Sequence, residues 1–144
     1  MRMMAMENLK MRTRKSILTA PSEAKEQSAL VHLLGVAYPK LKYRVGMEAG
    51  KRSANFAKKQ GVSSGWSDLH FPYARKGKIG LWVELKKIDE KLFKADGITP
   101  KDERTKNQIE TGAFLVEQKH EFHFAFGAEH AFKIIKDYFS EEKP

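Results

Sequence analysis

Apolar and polar positions alternate most clearly in residues 67–87, SDLHFPYARKGKIGLWVELKK. Leu69 and Phe71 fall on one side of a strand, Asp68 and His70 on the other. After a turn rich in lysine and glycine, Leu81, Val83 and Leu85 share one face, and Trp82, Glu84 and Lys86 share the opposite one. The pattern predicts a β-hairpin. Upstream, PSEAKEQSALVHLLGVAYPK sets Leu30, Leu33, Leu34 and Ala37 along a helical stripe. Ser22 is its predicted N-cap, with acidic residues in the first turn and Pro39 as the stop.

The other segments carry weaker patterns. RSANFAKKQG predicts a short helix ended by Gly61, and KIDEKLFKADGITPKDER reads as a surface loop with an Asp96-Gly97 turn. Helical spacing predicts a helix over about 101–119, with Ile109, Ala113, Leu115 and Val116 as its apolar side. EFHFAF reads as a strand, Gly127 as a break, and AEHAFKIIKDYF as a closing amphipathic helix. The predicted order is α, short α, β-hairpin, α, β, α. Residues 1–20 carry Arg2, Lys10, Arg12, Arg14 and Lys15 against Glu7, and read as a mobile basic arm before one domain over 21–144.

Composition narrows the function classes. Without cysteine there is no disulfide framework and no thiolate metal site. No apolar run approaches the roughly 20 residues of a membrane span, and the N-terminus lacks a secretory h-region. The expectation is a soluble, intracellular protein that does not bind membranes. A net charge of +9 points to an anionic partner or to a solvated lysine-rich surface.

The hairpin carries the chemistry. A turn centred on Lys76 would set Asp68 opposite Glu84, with Cβ atoms roughly 4.5–5.5 Å apart. Two carboxylates so close raise one another's pKa unless a cation lies between them. Lys86 is aimed at the same point and compensates in part. Oxygen-only ligands suit Mg²⁺ or Mn²⁺. The competing reading is an exposed polar strand face with a cross-strand salt bridge. Glu23 and Glu26 lie two turns and one turn before Leu30, so a carboxylate runs along the core face of the first helix, unless both serve only as capping groups.

In their order, SEAKEQSALVHLLGVAYPKL, GKRSANFAKKQGVSSGWSDLHFPYARKGKIGLWVELK and TKNQ resemble the virus-type replication-repair nuclease domain (VRR-NUC) of the PD-(D/E)xK nuclease superfamily. The resemblance spans about 22–139. It implies an α/β fold, a small mixed β-sheet flanked by helices. It also implies Asp68 and Glu84 as metal-binding carboxylates, Lys86 as the catalytic lysine and Gln108 as the active-site glutamine of the next helix. The helical glutamate is Glu23 by alignment, whereas helical facing favours Glu26. Ser67 replaces the proline of the family's Pro-Asp, GMEAGKRS departs from the family turn, the stretch between Lys86 and Gln108 is longer than the family's, and Lys119 stands where the family often has glycine.

The resulting expectation is a metal-dependent DNA endonuclease, with a backbone carbonyl near Leu85 completing the metal's ligands and Lys51, Arg52, Lys58 and Lys59 contacting DNA. Glu84 and Lys86 are expected to face a solvent-accessible site. The resemblance implies action on branched DNA such as four-way junctions. Paired cleavage there calls for a homodimer, to which Phe132, Ile134, Ile135, Tyr138 and Phe139 of the closing helix would lend an apolar patch. Two alternatives are a non-catalytic basic nucleic-acid-binding module and a hydrolase of another phosphoester. GMEAGKR misses phosphate-loop spacing, and His120, His123 and His130 lack the pattern of a zinc site. Trp82 reads as a wall of the site, and Trp66 and Trp82 as rings able to stack on bases.

Overall fold

In the computed structural model, residues 20–46 and 65–140 are described. Their strands make one sheet in the spatial order β1 (Arg44–Val45), β2 (Leu69–Phe71), β3 (Leu81–Lys86) and β4 (Glu121–Phe126). The first two pairings are antiparallel and β3 pairs β4 in parallel, so the sheet is mixed. A parallel pair needs a crossover, and helix α2 (Glu103–Glu117) supplies it. Helices α1 (Glu23–Ala37) and α3 (Ala128–Phe139) complete the chain order α1-β1-β2-β3-α2-β4-α3. The expected α/β class is the one observed. The short helix read in RSANFAKKQG, the arm over 1–20, and Lys51, Arg52, Lys58 and Lys59 lie outside the described residues.

The hairpin register follows the alternation. Leu69 pairs with Val83, His70 with Trp82 and Phe71 with Leu81. Continuing that register by one residue sets Asp68 against Glu84. The tight turn itself is Lys76-Gly77, both with positive φ, between Arg75 and Lys78, which bond each other in both directions. Positive φ at both central positions is the hairpin turn that matches strand twist, and glycine adopts it freely. The Arg75–Lys78 bridge lies half a residue off the strand register, so one extra residue is absorbed between turn and strands.

One sheet face is apolar. Leu69, Phe71, Leu81, Val83, Leu85 and Ala125 are fully buried there, and Leu30 and Leu34 of α1 and Ala131, Ile135 and Tyr138 of α3 join the same core. Ser22 caps α1, its Oγ accepting from the Lys25 N–H at 3.2 Å, as expected. Phe132, Ile134 and Phe139 also pack against this core, with Tyr38 against the rings of Phe132 and Phe139. The surplus apolar residues of α3, expected to form a dimer patch, are therefore engaged within the chain.

The strand β1 is not among the expected elements, although Leu41 and Tyr43 alternate ahead of it and Val45 continues the alternation within it. The face of α2 also differs from the expectation. Its buried residues are Thr105, Gln108, Gly112 and Leu115, whereas Ala113 and Val116 are exposed. Gly112 accounts for this orientation. A Cβ at that position would stand 2.3 Å from the Phe122 ring of β4, so glycine lets the helix settle directly on the sheet. With α2 rotated in this way, Gln108 is turned inward.

Candidate metal centre

The second sheet face carries the polar residues, and three elements bring carboxylates to one place on it. Asp68 stands at the mouth of β2, Glu84 is central in β3, and Glu23 opens α1. One oxygen from each lies within 4.8 Å of the other two. Glu23 is in the first turn of its helix, where the helix dipole favours a negative charge.

Hydrogen bonds fix the two strand carboxylates. Glu84 Oε2 accepts from the Asp68 N–H at 3.2 Å, and Asp68 Oδ2 accepts from the Leu85 N–H at 3.1 Å. Gln108 then joins acid to base: its Nε2 donates to Glu84 Oε1 at 2.9 Å, and its Oε1 accepts from Lys86 Nζ at 2.7 Å. Lys86 Nζ is also 3.9 Å from Glu84 Oε1 and 3.3 Å from Glu90 Oε2. Glu90 in turn pairs with Lys101 at 3.5 Å.

Glu84 and Lys86 are 1% and 3% exposed, which corrects the expectation that they face solvent. The α2 helix, through Gln108, and the stretch after β3, through Glu90, close over them. Burial has an electrostatic consequence. First desolvation, then the neighbouring charge of Asp68, pushes the Glu84 carboxyl up to about 9. Asp68 is also raised, by desolvation, against the hydrogen bonds that stabilise its anion. Glu23 is raised by desolvation and by Asp68, while Arg104 and Lys86 oppose the rise. Three crowded carboxyls with elevated pKa values and hard oxygen donors fit a divalent cation, which would relieve all three shifts together.

Of the two helical candidates the structure brings Glu23 to the cluster and takes Glu26 elsewhere. The Glu26 carboxylate, 6% exposed, accepts from the Ala128 N–H at the start of α3. There it caps an otherwise unpaired helix-terminal donor. Facing the core, which had favoured Glu26, is what keeps it from the site. The Gly127 N–H donates to the Lys86 carbonyl at 2.9 Å, so the same corner also holds the end of β3.

Glu90, Lys101 and Arg104 were not singled out from sequence. The first two belong to an irregular stretch, where no periodicity assigns a direction. That stretch is nonetheless ordered: Asp96 Oδ1 accepts from the N–H groups of Ile98 and Thr99, and Lys101 N bonds the Leu92 carbonyl. The expected Asp96-Gly97 turn is in place, with φ +70° at Gly97.

No family model matches the sequence, and no curated protein matches it. Among solved structures the chain is similar to a VRR_NUC domain protein, with a TM-score of 0.63 and 20% identity over 83% of this chain and 89% of that one. The protein therefore has a VRR-NUC-like fold, and its described residues form a mixed four-stranded sheet with three helices, in keeping with the small mixed sheet flanked by helices that the sequence resemblance implied. At that identity the likeness speaks for the fold alone.

Proposed function

We propose that this protein is a metal-dependent DNA endonuclease that hydrolyses phosphodiester bonds. The observation that carries the reading is the Glu23-Asp68-Glu84 oxygen cluster, joined through Gln108 to the ammonium of Lys86. A fold shared with a VRR_NUC domain protein supports it. Crowding one buried and two half-buried carboxyls together costs stability, and a purely structural role leaves that cost unexplained.

Asp68, Glu84 and Glu23 would hold Mg²⁺ or Mn²⁺. In an extended strand the N–H and C=O of one residue leave the same edge. The Leu85 N–H reaches Asp68, so the Leu85 carbonyl is directed to that side and is the fourth protein ligand of the proposal. When bound, the cation supplies Lewis acidity and offsets the charge that builds on the phosphate. Lys86 presents its ammonium to a non-bridging phosphate oxygen and so favours the transition state electrostatically. Gln108 holds that ammonium, and Glu90 sets it from the other side. Arg104, whose charge already acts on Glu23 and Asp68, would meet the phosphate backbone.

Plasmid nicking with Mg²⁺ and with EDTA tests the reading. Metal-dependent nicking by wild type and at least ~10²-fold slower nicking by Lys86→Ala and Asp68→Asn are expected. Equal nicking in EDTA, or by folded variants, removes the assignment. Absence of nicking with retained DNA binding would instead favour a non-catalytic binding module. Comparison with mononucleotides excludes or reveals another phosphoester as substrate. Selectivity for four-way junctions would require two sites about a twofold axis, hence a homodimer. Light scattering at the monomer mass of 16.5 kDa together with unpaired nicking of a junction would remove that part alone.

A further inference from the structure

Beside the carboxylates, on the same sheet face, lies a group of rings for which the metal chemistry has no use. His70 and Trp82 are cross-strand partners, with rings 3.8 Å apart at centroid and planes 11° from parallel. The Trp82 indole N–H donates to His120 Nδ1 at 3.1 Å, which fixes the ring within its plane. Burial holds His120 below the usual imidazole range, so Nδ1 keeps the lone pair that accepts this bond. Trp66 then tilts against Trp82 at 5.5 Å and 45°, two residues before Asp68.

The two tryptophans are placed differently. Trp82 is held by a stacked ring and a hydrogen bond. Trp66 is 47% exposed, and its only ring contact among the described residues is Trp82. A large indole left half in water beside a phosphate-handling site is poorly explained by core packing. Charge complementarity defines what could cover it. Arg44, paired across from His70 on β1, acts electrostatically on that imidazole, and Arg104 on α2 acts on Glu23 and Asp68. An exposed indole face, with one guanidinium on β1 and another on α2, matches a nucleobase that carries phosphates on its flanks.

We propose that Trp66, backed by Trp82 and His70, is a stacking platform for an unpaired DNA base next to the scissile phosphate. In an intact duplex the bases stack on one another and offer no free face, so the platform selects DNA with single-stranded character at the cleavage point. The inference rests on the phosphodiesterase reading for its substrate class and adds the strand state of that substrate.

The experiment measures binding of labelled oligodeoxynucleotides in EDTA, single-stranded against blunt duplex, for wild type and four variants. Wild type is compared with Trp66→Ala, Trp66→Phe and Trp66→Leu, and Phe114→Ala, an exposed aromatic on the outer side of α2, serves as control. Loss of one base-stacking contact should cost Trp66→Ala roughly tenfold in single-strand affinity and collapse the single-strand-to-duplex ratio. Trp66→Phe should keep most of the ratio, and Phe114→Ala should leave it at the wild-type value. Single-stranded DNA should also quench the fluorescence of wild type more than that of Trp66→Phe. The proposal is overturned if Trp66→Leu holds the ratio as well as tryptophan, or if both DNA forms lose affinity equally. Should Trp66→Ala fail to fold, the Phe and Leu variants decide. Collapse of the ratio without any metal-dependent nicking removes the nuclease reading alone, whereas nicking with an unchanged ratio removes the platform alone.

Discussion

Glu84→Gln separates the electrostatics of the site from its architecture. In the folded protein the Glu84 carboxyl is raised to about 9 from an ordinary value of 4.5, by burial and then by Asp68. A raised acid contributes stability that is fully present below its unfolded pKa and is lost as pH rises through the folded one. The metal-free protein should therefore lose stability between about pH 5 and 9, by at most about 1.4 kcal/mol per pH unit from this group. Asp68 and Glu23 are raised too and act in the same direction. From pH 6 to 8 the ceiling for Glu84 alone is near 3 kcal/mol, or roughly 10 °C in Tm for a chain of this size. A divalent cation at 100 times its Kd should restore about 2.7 kcal/mol.

Glutamine at this position keeps the shape and removes the titration. One of the two accepted bonds, from Asp68 N or Gln108 Nε2, is lost, at a cost of about 1–3 kcal/mol. The variant should thus be less stable than wild type at pH 6, with a flatter pH profile and little response to Mg²⁺. Thermal unfolding followed by circular dichroism, in EDTA and in Mg²⁺ across pH 6–9, reads all three. An unchanged pH slope together with an unchanged metal shift would refute the account of a crowded, cation-seeking cluster.

Glu26→Ala should destabilise by about 1–3 kcal/mol, since it strips the buried Ala128 N–H of its acceptor, and should leave Mg²⁺ binding by calorimetry largely intact. Glu23→Ala should do the reverse, weakening metal binding with little change in Tm. Lys119 ends α2 at φ +71°, with the His120 N–H bonded to the Leu115 carbonyl and its own N–H to Val116. Glycine is the residue suited to that left-handed cap, so Lys119→Gly should stabilise by about 1 kcal/mol in urea unfolding, and no gain would contradict the cap reading. DNA affinity should fall steeply with salt, log K by about 0.9 per phosphate neutralised per decade, and removing residues 1–20 should shallow the slope; a flat line would assign the positive charge to surface solvation.

Much of the fold was legible where side chains alternate against a buried face. Leu69, Phe71, Leu81, Val83 and Leu85 set the hairpin register, and the register carries Asp68 to Glu84. The α2 helix was harder because, beside the expected Leu115, its inward residues are Thr105, Gln108 and Gly112, a polar and small stripe that hydropathy assigns to solvent. Gln108 was reached only through family resemblance, and the close approach of Gly112 to Phe122 has no signature in spacing. Glu90 came from an irregular segment, whose geometry depends on turns and caps rather than on any period. For Glu23 and Glu26 the facing rule located the core correctly, but the core side of α1 meets α3 and the site lies beyond its first turn.

The Lys76-Gly77 turn also bears on how the site comes into being. Strands β2 and β3 are close in sequence, and hairpins of this kind form in roughly 1–10 μs, whereas the parallel β3–β4 pair must await closure of the α2 crossover. Asp68 and Glu84 would then meet while Gln108 and Lys86 are still unjoined, and their repulsion would oppose the step that nucleates the sheet. A divalent cation captured at that stage would speed refolding as well as slow unfolding. The site residues are thus set against the kinetics of their own hairpin, and the ion that serves chemistry in the finished protein would also serve its assembly.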